Sequence, residues 1–240
     1  MKYVFCDGRV PSQIRERLCR EGFTVLPMKK SACLSEAVCA HVDLSVLKIG
    51  EKLLVRDEVV EWFPFLCENR KVIVSKERPI PRYPEETMFC AKVVGGTLYH
   101  GKAVAQDALR VASEEGLATC EVKQGYVACS LLALDEKHAI TSDKTITDAL
   151  LSRGGDVLRI REGYISLAPY PYGFIGGACG VYKDCVYFLG DVRTHPDGKK
   201  IIDYLTACGF RYICLGEGEL FDGGGLVFWE DTTLPVCENT

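Results

Sequence analysis

Three stretches of the chain share one length and one plan: "DLSVLKIGEKLLVRD" (Asp43 to Asp57), "CSLLALDEKHAITSD" (Cys129 to Asp143) and "GACGVYKDCVYFLGD" (Gly177 to Asp191). In each, an apolar run, a turn such as "KIGEK", "LDEKH" or "YKD", and a second apolar run describe a β-hairpin that ends at an aspartate. That aspartate is suited to cap a helix, because its carboxylate can accept the free N–H groups of the first turn. Amphipathic or mixed segments follow, "EVVEWFPFL", "KTITDALLSRG" and "VRTHPDGKKIIDYLTACG". Two of these stop at a glycine, Gly154 and Gly209, and then lead into strands, "DVLRI" and "FRYICL". A unit that recurs in this way restricts the fold to architectures in which equivalent units pack side by side.

A looser copy, "GGTLYHGKAVAQD" (Gly95 to Asp107), is followed by "ALRVASEEG" and "LATCEVK". A fifth is divided between the chain ends. "DGGGLVFWED" supplies a first hairpin strand, while "KYVFCD" at the N-terminus supplies a second strand with Asp7, the helix "PSQIRERLCREG" and the strand "FTVLPM". Joining the ends completes five units. Paired glycines recur where hairpins begin, at Gly176-Gly177, Gly95-Gly96 and in the run Gly223 to Gly225, where backbone must turn tightly or approach a neighbour closely.

At 240 residues, 48% of them hydrophobic, the chain can bury a sizeable core, and a single domain over 1–240 is expected. A net charge of -4 supplies no overall basic field, so a nucleic-acid partner is not expected. No apolar run approaches the roughly 18 residues of a membrane span. The opening "MKYVFCDGRV" reaches Asp7 too soon for a signal peptide, so a soluble, cytoplasmic protein without a membrane partner is expected. There are 13 cysteines without a CxxC pair or clustered Cys/His spacing, so neither a disulfide framework nor a metal site is expected. No cofactor motif is present.

Five hairpin–helix–strand units closed by the two termini resemble the pentein fold of the guanidine-modifying enzyme superfamily. The expected fold class is therefore an α/β, five-bladed propeller with pseudo-fivefold symmetry, over nearly the whole chain. That superfamily includes arginine and agmatine deiminases, dimethylarginine hydrolases and amidinotransferases, and a non-enzymatic branch, the ribosome anti-association factor of archaea and eukaryotes. "GVYKDCVYFLGDVRTHPDGKKIIDYL" looks like the penultimate blade of agmatine deiminases, and "GGGLVFW" like their glycine-rich final strand. The resemblance implies a cysteine nucleophile about four residues after those glycines, where this chain has Trp229, and a His-x-Asp motif where it has Val127 and Cys129. Both family elements depart together.

The repeat alignment places Asp43, Cys129 and Gly177 at one step of their units, with His41 one same-face step from Asp43 if both lie in a strand. Cys129, His41 and Asp43 are thus the candidates for a relocated catalytic site. Lys92, Glu219, Asp222 and Trp229 are candidate ligand-binding residues, and the aromatic loop Tyr170 to Phe174 either closes the channel mouth or packs on its rim. Two functions follow. One is a protein that binds a small polar, guanidino-type ligand in the central channel, or a protein partner, without the family's standard cysteine chemistry. The other is a hydrolase or amidinotransferase that uses the relocated residues.

Overall fold

The computed structural model describes residues 1–231. In chain order the elements are β1 (Lys2–Asp7), α1 (Ser12–Arg20), β2 (Thr24–Met28), β3 (Val46–Ile49), β4 (Lys52–Arg56), α2 (Asp57–Trp62), β5 (Val72–Ser75), β6 (Lys92–Val94), β7 (Thr97–His100), α3 (Gln106–Glu114) and β8 (Ala118–Glu121). The second half continues with α4 (Val127–Ser130), β9 (Leu131–Ala133), β10 (His138–Thr141), α5 (Lys144–Leu151), β11 (Asp156–Arg159), β12 (Cys179–Tyr182), β13 (Cys185–Phe188), α6 (Gly198–Ala207), β14 (Arg211–Cys214) and β15 (Val227–Glu230). They form five three-stranded sheets, β3-β4-β5, β6-β7-β8, β9-β10-β11, β12-β13-β14 and β15-β1-β2. In each, the outer strand that opens the unit is antiparallel to the central one. The third is parallel to the centre, as a helical crossover requires.

The fifth sheet joins the two ends of the chain. Lys2 pairs with Glu230, Tyr3 with Trp229, Val4 with Phe228 and Phe5 with Val227, so β1 and β15 are a hairpin without a covalent turn. The Met1 and Asp231 backbones exchange two further hydrogen bonds, of 2.7 and 2.9 Å. The opening strands pack in series, β3 on β6, β6 on β9, β9 on β12 and β12 on β15. Just before those strands, Gly177 N–H donates to Cys129 O and Gly225 N–H to Gly177 O, both at 2.8 Å, while Asp43 N–H reaches Gly224 O at 3.2 Å. The step shared by Asp43, Cys129 and Gly177 is therefore a hydrogen-bonded layer.

Helices cover the sheets with apolar residues one turn apart, Ile14 and Leu18 on α1, Ala108 and Ala112 on α3, and Ile201 and Leu205 on α6. The expected aspartate caps hold only in part. Asp143 caps α5 by accepting from Ile146 N–H at 2.9 Å. Asp57 and Asp107 instead lie within the first turn, where the helix dipole favours a negative charge. Asp7 and Asp191 build the same local device twice, each accepting the backbone N–H and the guanidinium of the arginine two residues on, Arg9 and Arg193. Gly95-Gly96 is the two-residue turn of the β6–β7 hairpin, with φ of +54° and +70°, and does not begin that hairpin. The looser repeat thus begins at Lys92.

Trp229 does not line a channel. Its ring is buried with Phe5, Leu26, Val55 and Leu66 and stacks on Tyr3 at 5.7 Å between centroids, so alternation along β15 turns it into the apolar core. Replacing Trp229 by Ala is expected to destabilise the protein by about 3 to 5 kcal/mol. Chemical denaturation of the purified variant checks this, and a loss well below that range would show that the indole adds little to the core.

Candidate functional site

His41, Asp43 and Cys129 reach one place by turns and not by strands. Val42–Leu44 is a single 3-10 turn ahead of β3, with His41 at its N-cap, so the two side chains converge over that turn instead of by strand alternation. Cys129 lies in α4, one helical turn closed by Ser130 N–H to Tyr126 O at 2.9 Å, ahead of β9. One ligand-type atom from each of the three residues, a ring nitrogen, a carboxylate oxygen and the thiol, falls within 4.8 Å of the other two. All three residues are buried. A fourth group, the Cys90 thiol, stands 3.7 Å from Cys129 Sγ, and each of the two cysteines lies two residues ahead of the opening strand of its own hairpin.

The glycine run explains how the last turn joins them. Gly224 has φ of +70°, and a Cβ there would lie 2.5 Å from His41 Cα, Cβ and Cγ. Asp222 sits beside it in a niche of absent side chains. A Cβ on Gly177 would fall 1.9 Å from Asp222 Oδ1, and one on Gly173 2.4 Å from Asp222 Cβ. Its carboxylate accepts Phe174 N–H at 2.9 Å and Gly224 N–H at 3.0 Å, and Oδ1 lies 3.9 Å from His41 Nδ1.

Burial governs the electrostatics of this cluster. It lowers His41 below the ordinary imidazole value against the attraction of Asp222 and Asp7. It raises Asp43 well above the carboxylate value, with the Asp222 charge adding to the effect, and raises Asp222 against its attraction to His41. The Cys129 thiol is pushed well above its usual value by burial, by its contact with Cys90 and by Asp43. All four shift toward their neutral forms. Neither Asp43 oxygen nor His41 Nδ1 has a hydrogen-bond partner among the described residues.

Two large cavities meet at this layer, and a smaller one of about 260 Å³, lined by Asp7, Arg9, His41 and Asp222 among others, also reaches it. The first, of about 410 Å³, is lined by His41, Cys129, Asp222 and Glu86 together with Tyr83, Tyr126, Tyr170, Tyr172 and Phe174. The "YPYGF" loop thus forms its wall. Tyr83 and Phe174 both stack on Tyr126, whose hydroxyl donates to Glu86 at 2.5 Å, while Ser35 N–H binds the other Glu86 oxygen at 3.0 Å. The second cavity, of about 510 Å³, is lined by residues of all five opening strands and by Asp43. Lys92 stands in that second wall. Burial lowers its ammonium below the usual lysine value, against the pull of Cys179 and Asp43. Of the candidate residues, His41, Asp43, Cys129 and Asp222 come together. Lys92 lies on the far side, Glu219 is exposed outside both cavities, and Trp229 is in the core. Sequence reasoning missed Glu86, Tyr126 and Cys90. Aligning the hairpins on their turns sets Met88, not Cys90, at the step of Asp43 and Cys129, so the repeat carries no signal for Cys90.

Residues 5–227 match DUF6873, a family of unknown function. No curated protein matches the sequence. Among solved structures, DDAH from Pseudomonas aeruginosa, a cysteine-to-serine variant complexed with citrulline, aligns with 88% of this chain and 90% of its own at 12% identity and a TM-score of 0.55. SxtG, an amidinotransferase from Microseira wollei in the saxitoxin biosynthetic pathway, aligns over 90% of this chain and 78% of its own, with 10% identity and a TM-score of 0.57. The product-bound N-terminal domain of ArgZ, an arginine dihydrolase from the ornithine-ammonia cycle in cyanobacteria, covers 94% of each chain at 11% identity and a TM-score of 0.57. These likenesses establish the pentein fold.

Gly224→Ala, which adds both a left-handed backbone strain and a clash with His41, is expected to cost about 2 to 4 kcal/mol. Gly154→Ala, at φ of +79° with nothing within 4 Å, should cost only about 1 kcal/mol. Equal losses in urea unfolding would show that the contact with His41 carries no weight. Alkylation should reach the exposed Cys19 and Cys67 first and leave Cys129 unmodified until the protein unfolds. Mass spectrometry of the labelled protein reads this, and rapid modification of Cys129 would reveal an activated thiolate.

Proposed function

This chain belongs to the DUF6873 family, and we propose that it is a five-bladed pentein ring, one cytoplasmic domain, that binds a small guanidino-type cation in its aromatic cavity. The observation that carries this reading is the lining: five aromatic rings together with Glu86 and Asp222. Ring faces attract a flat cation, and carboxylates can accept its N–H groups in pairs. The other cavity suits a cation less well, because Lys92 stands in its wall. Standard cysteine catalysis is absent in this reading, since Trp229 occupies the place of the family's nucleophile and lies in the core.

A second reading rests on one observation, that Cys129 and His41 line the same cavity as the proposed ligand site. In it, Cys129 as thiolate adds to the guanidinium carbon, His41 donates a proton to the departing amine, and water releases the product. The shifts of His41 and Cys129 toward neutrality weigh against a resting imidazolium–thiolate pair. Binding without turnover is therefore the first reading.

Thermal unfolding with agmatine, arginine and methylated arginines tests it. A ligand at about 100 times its Kd adds about 2.7 kcal/mol, which for a chain of this size raises Tm by about 5 to 10 °C. Tyr170→Ala, at a ring 44% exposed over the cavity, should weaken binding by about 2-fold to 30-fold through loss of the cation–π contact. No stabilisation by any guanidino compound would overturn the proposal. Release of urea, citrulline or ammonia would put the second reading in its place.

A further inference from the structure

We infer that His41, Asp43 and Cys129 form a binding site for one zinc-type divalent ion, with an open coordination position facing the aromatic cavity. The donor set comes first. A ring nitrogen, a carboxylate oxygen and a sulfur, each from a different residue and all mutually within 4.8 Å, are the ligand types that zinc takes together. In a tetrahedral site with bonds of about 2.0 to 2.3 Å, ligand atoms stand about 3.3 to 3.8 Å apart. On binding, the longest separation in the cluster contracts by about 1 to 1.5 Å.

A second, independent observation comes from hydrogen bonding. Both oxygens of Asp43 and Nδ1 of His41 are buried and have no hydrogen-bond partner among the described residues, although Asp43 is 6% exposed and His41 1%. Unpaired polar atoms at that depth are costly, and a cation between them removes the cost. The charges also close. A divalent ion with a thiolate, a carboxylate and a neutral imidazole sums to zero, so the loaded cluster carries no net charge into the interior. Because His41 and Cys129 also face the aromatic cavity, the fourth position is reachable by water or by a small ligand from that side. Three protein ligands with one open position is the arrangement of a reactive zinc rather than a purely structural one. The sequence has no metal-ligand spacing at this site because its donors come from two separated turns, at 41–43 and at 129, although the repeat brings the three residues together. The inference stands on this cluster and not on the guanidino reading.

The test uses the full chain, stripped with a chelator and then titrated with zinc alone. One ion per chain is the expected uptake, measured by calorimetry and elemental analysis. Cobalt in place of zinc should show the thiolate-to-cobalt charge-transfer band together with the visible absorption of a four-coordinate ion. Cys129→Ser should abolish that band, and Asp43→Asn and His41→Gln should abolish stoichiometric uptake, while Cys19→Ser, at an exposed thiol, leaves both intact. Circular dichroism establishes that each variant is folded, and if Cys129→Ser is not, the wild-type cobalt spectrum decides. Uptake well below one ion per chain by the wild type, a cobalt spectrum without the thiolate band, or a band that survives in folded Cys129→Ser would overturn the site.

Discussion

The antiparallel pairing of β1 with β15 is the contact on which the other arrangements rest. It builds the fifth sheet from residues at opposite ends of the sequence, and β1 is the central strand of that sheet. Once Tyr3 and Trp229 are in register, the backbone ahead of β15 has to pass beside His41. Only glycine fits there. The chain end is thus held by the ladder on one side and by the His41 backbone on the other, and Asp222 is carried into its niche as a result.

The polar layer formed in this way is enclosed by apolar packing around Cys39, Leu44, Cys90 and Ala128. Low polarity raises the cost of every charge in it, which is why Asp43, Asp222 and the Cys129 thiol shift upward and His41 downward. Asp222 differs from Asp43 in one respect. Two backbone N–H groups compensate part of its burial, whereas Asp43 has no such partner. The contrast divides two aspartates of similar burial into one held in place by the fold and one left available.

Much of the fold was legible because its information is local. Hairpin turns, helix-ending glycines and short alternating strands repeat at fixed offsets, and the half-units at the two ends could be joined by inspection. Asp222 was legible from its position beside the glycine run, and the meeting of His41, Asp43 and Cys129 from the shared step of the repeat. The reason they meet was not legible. An apolar stretch as short as "YVACSLL" carries no period that separates a helical turn from a strand, so α4 was hidden. Glu86 and Tyr126 were hidden for another reason. Their contact joins residues 40 positions apart, and no local pattern marks either as a cavity residue.

The layer between the two cavities has a consequence for how any change to it is interpreted. Asp43 faces the space lined by the five opening strands, Cys129 faces the aromatic space, and the two side chains lie within 4.8 Å of each other. The partition is one side chain thick on each side. It works as a septum, so a volume change at either residue is felt in both compartments, and whatever fills one chamber sets the back wall of the other.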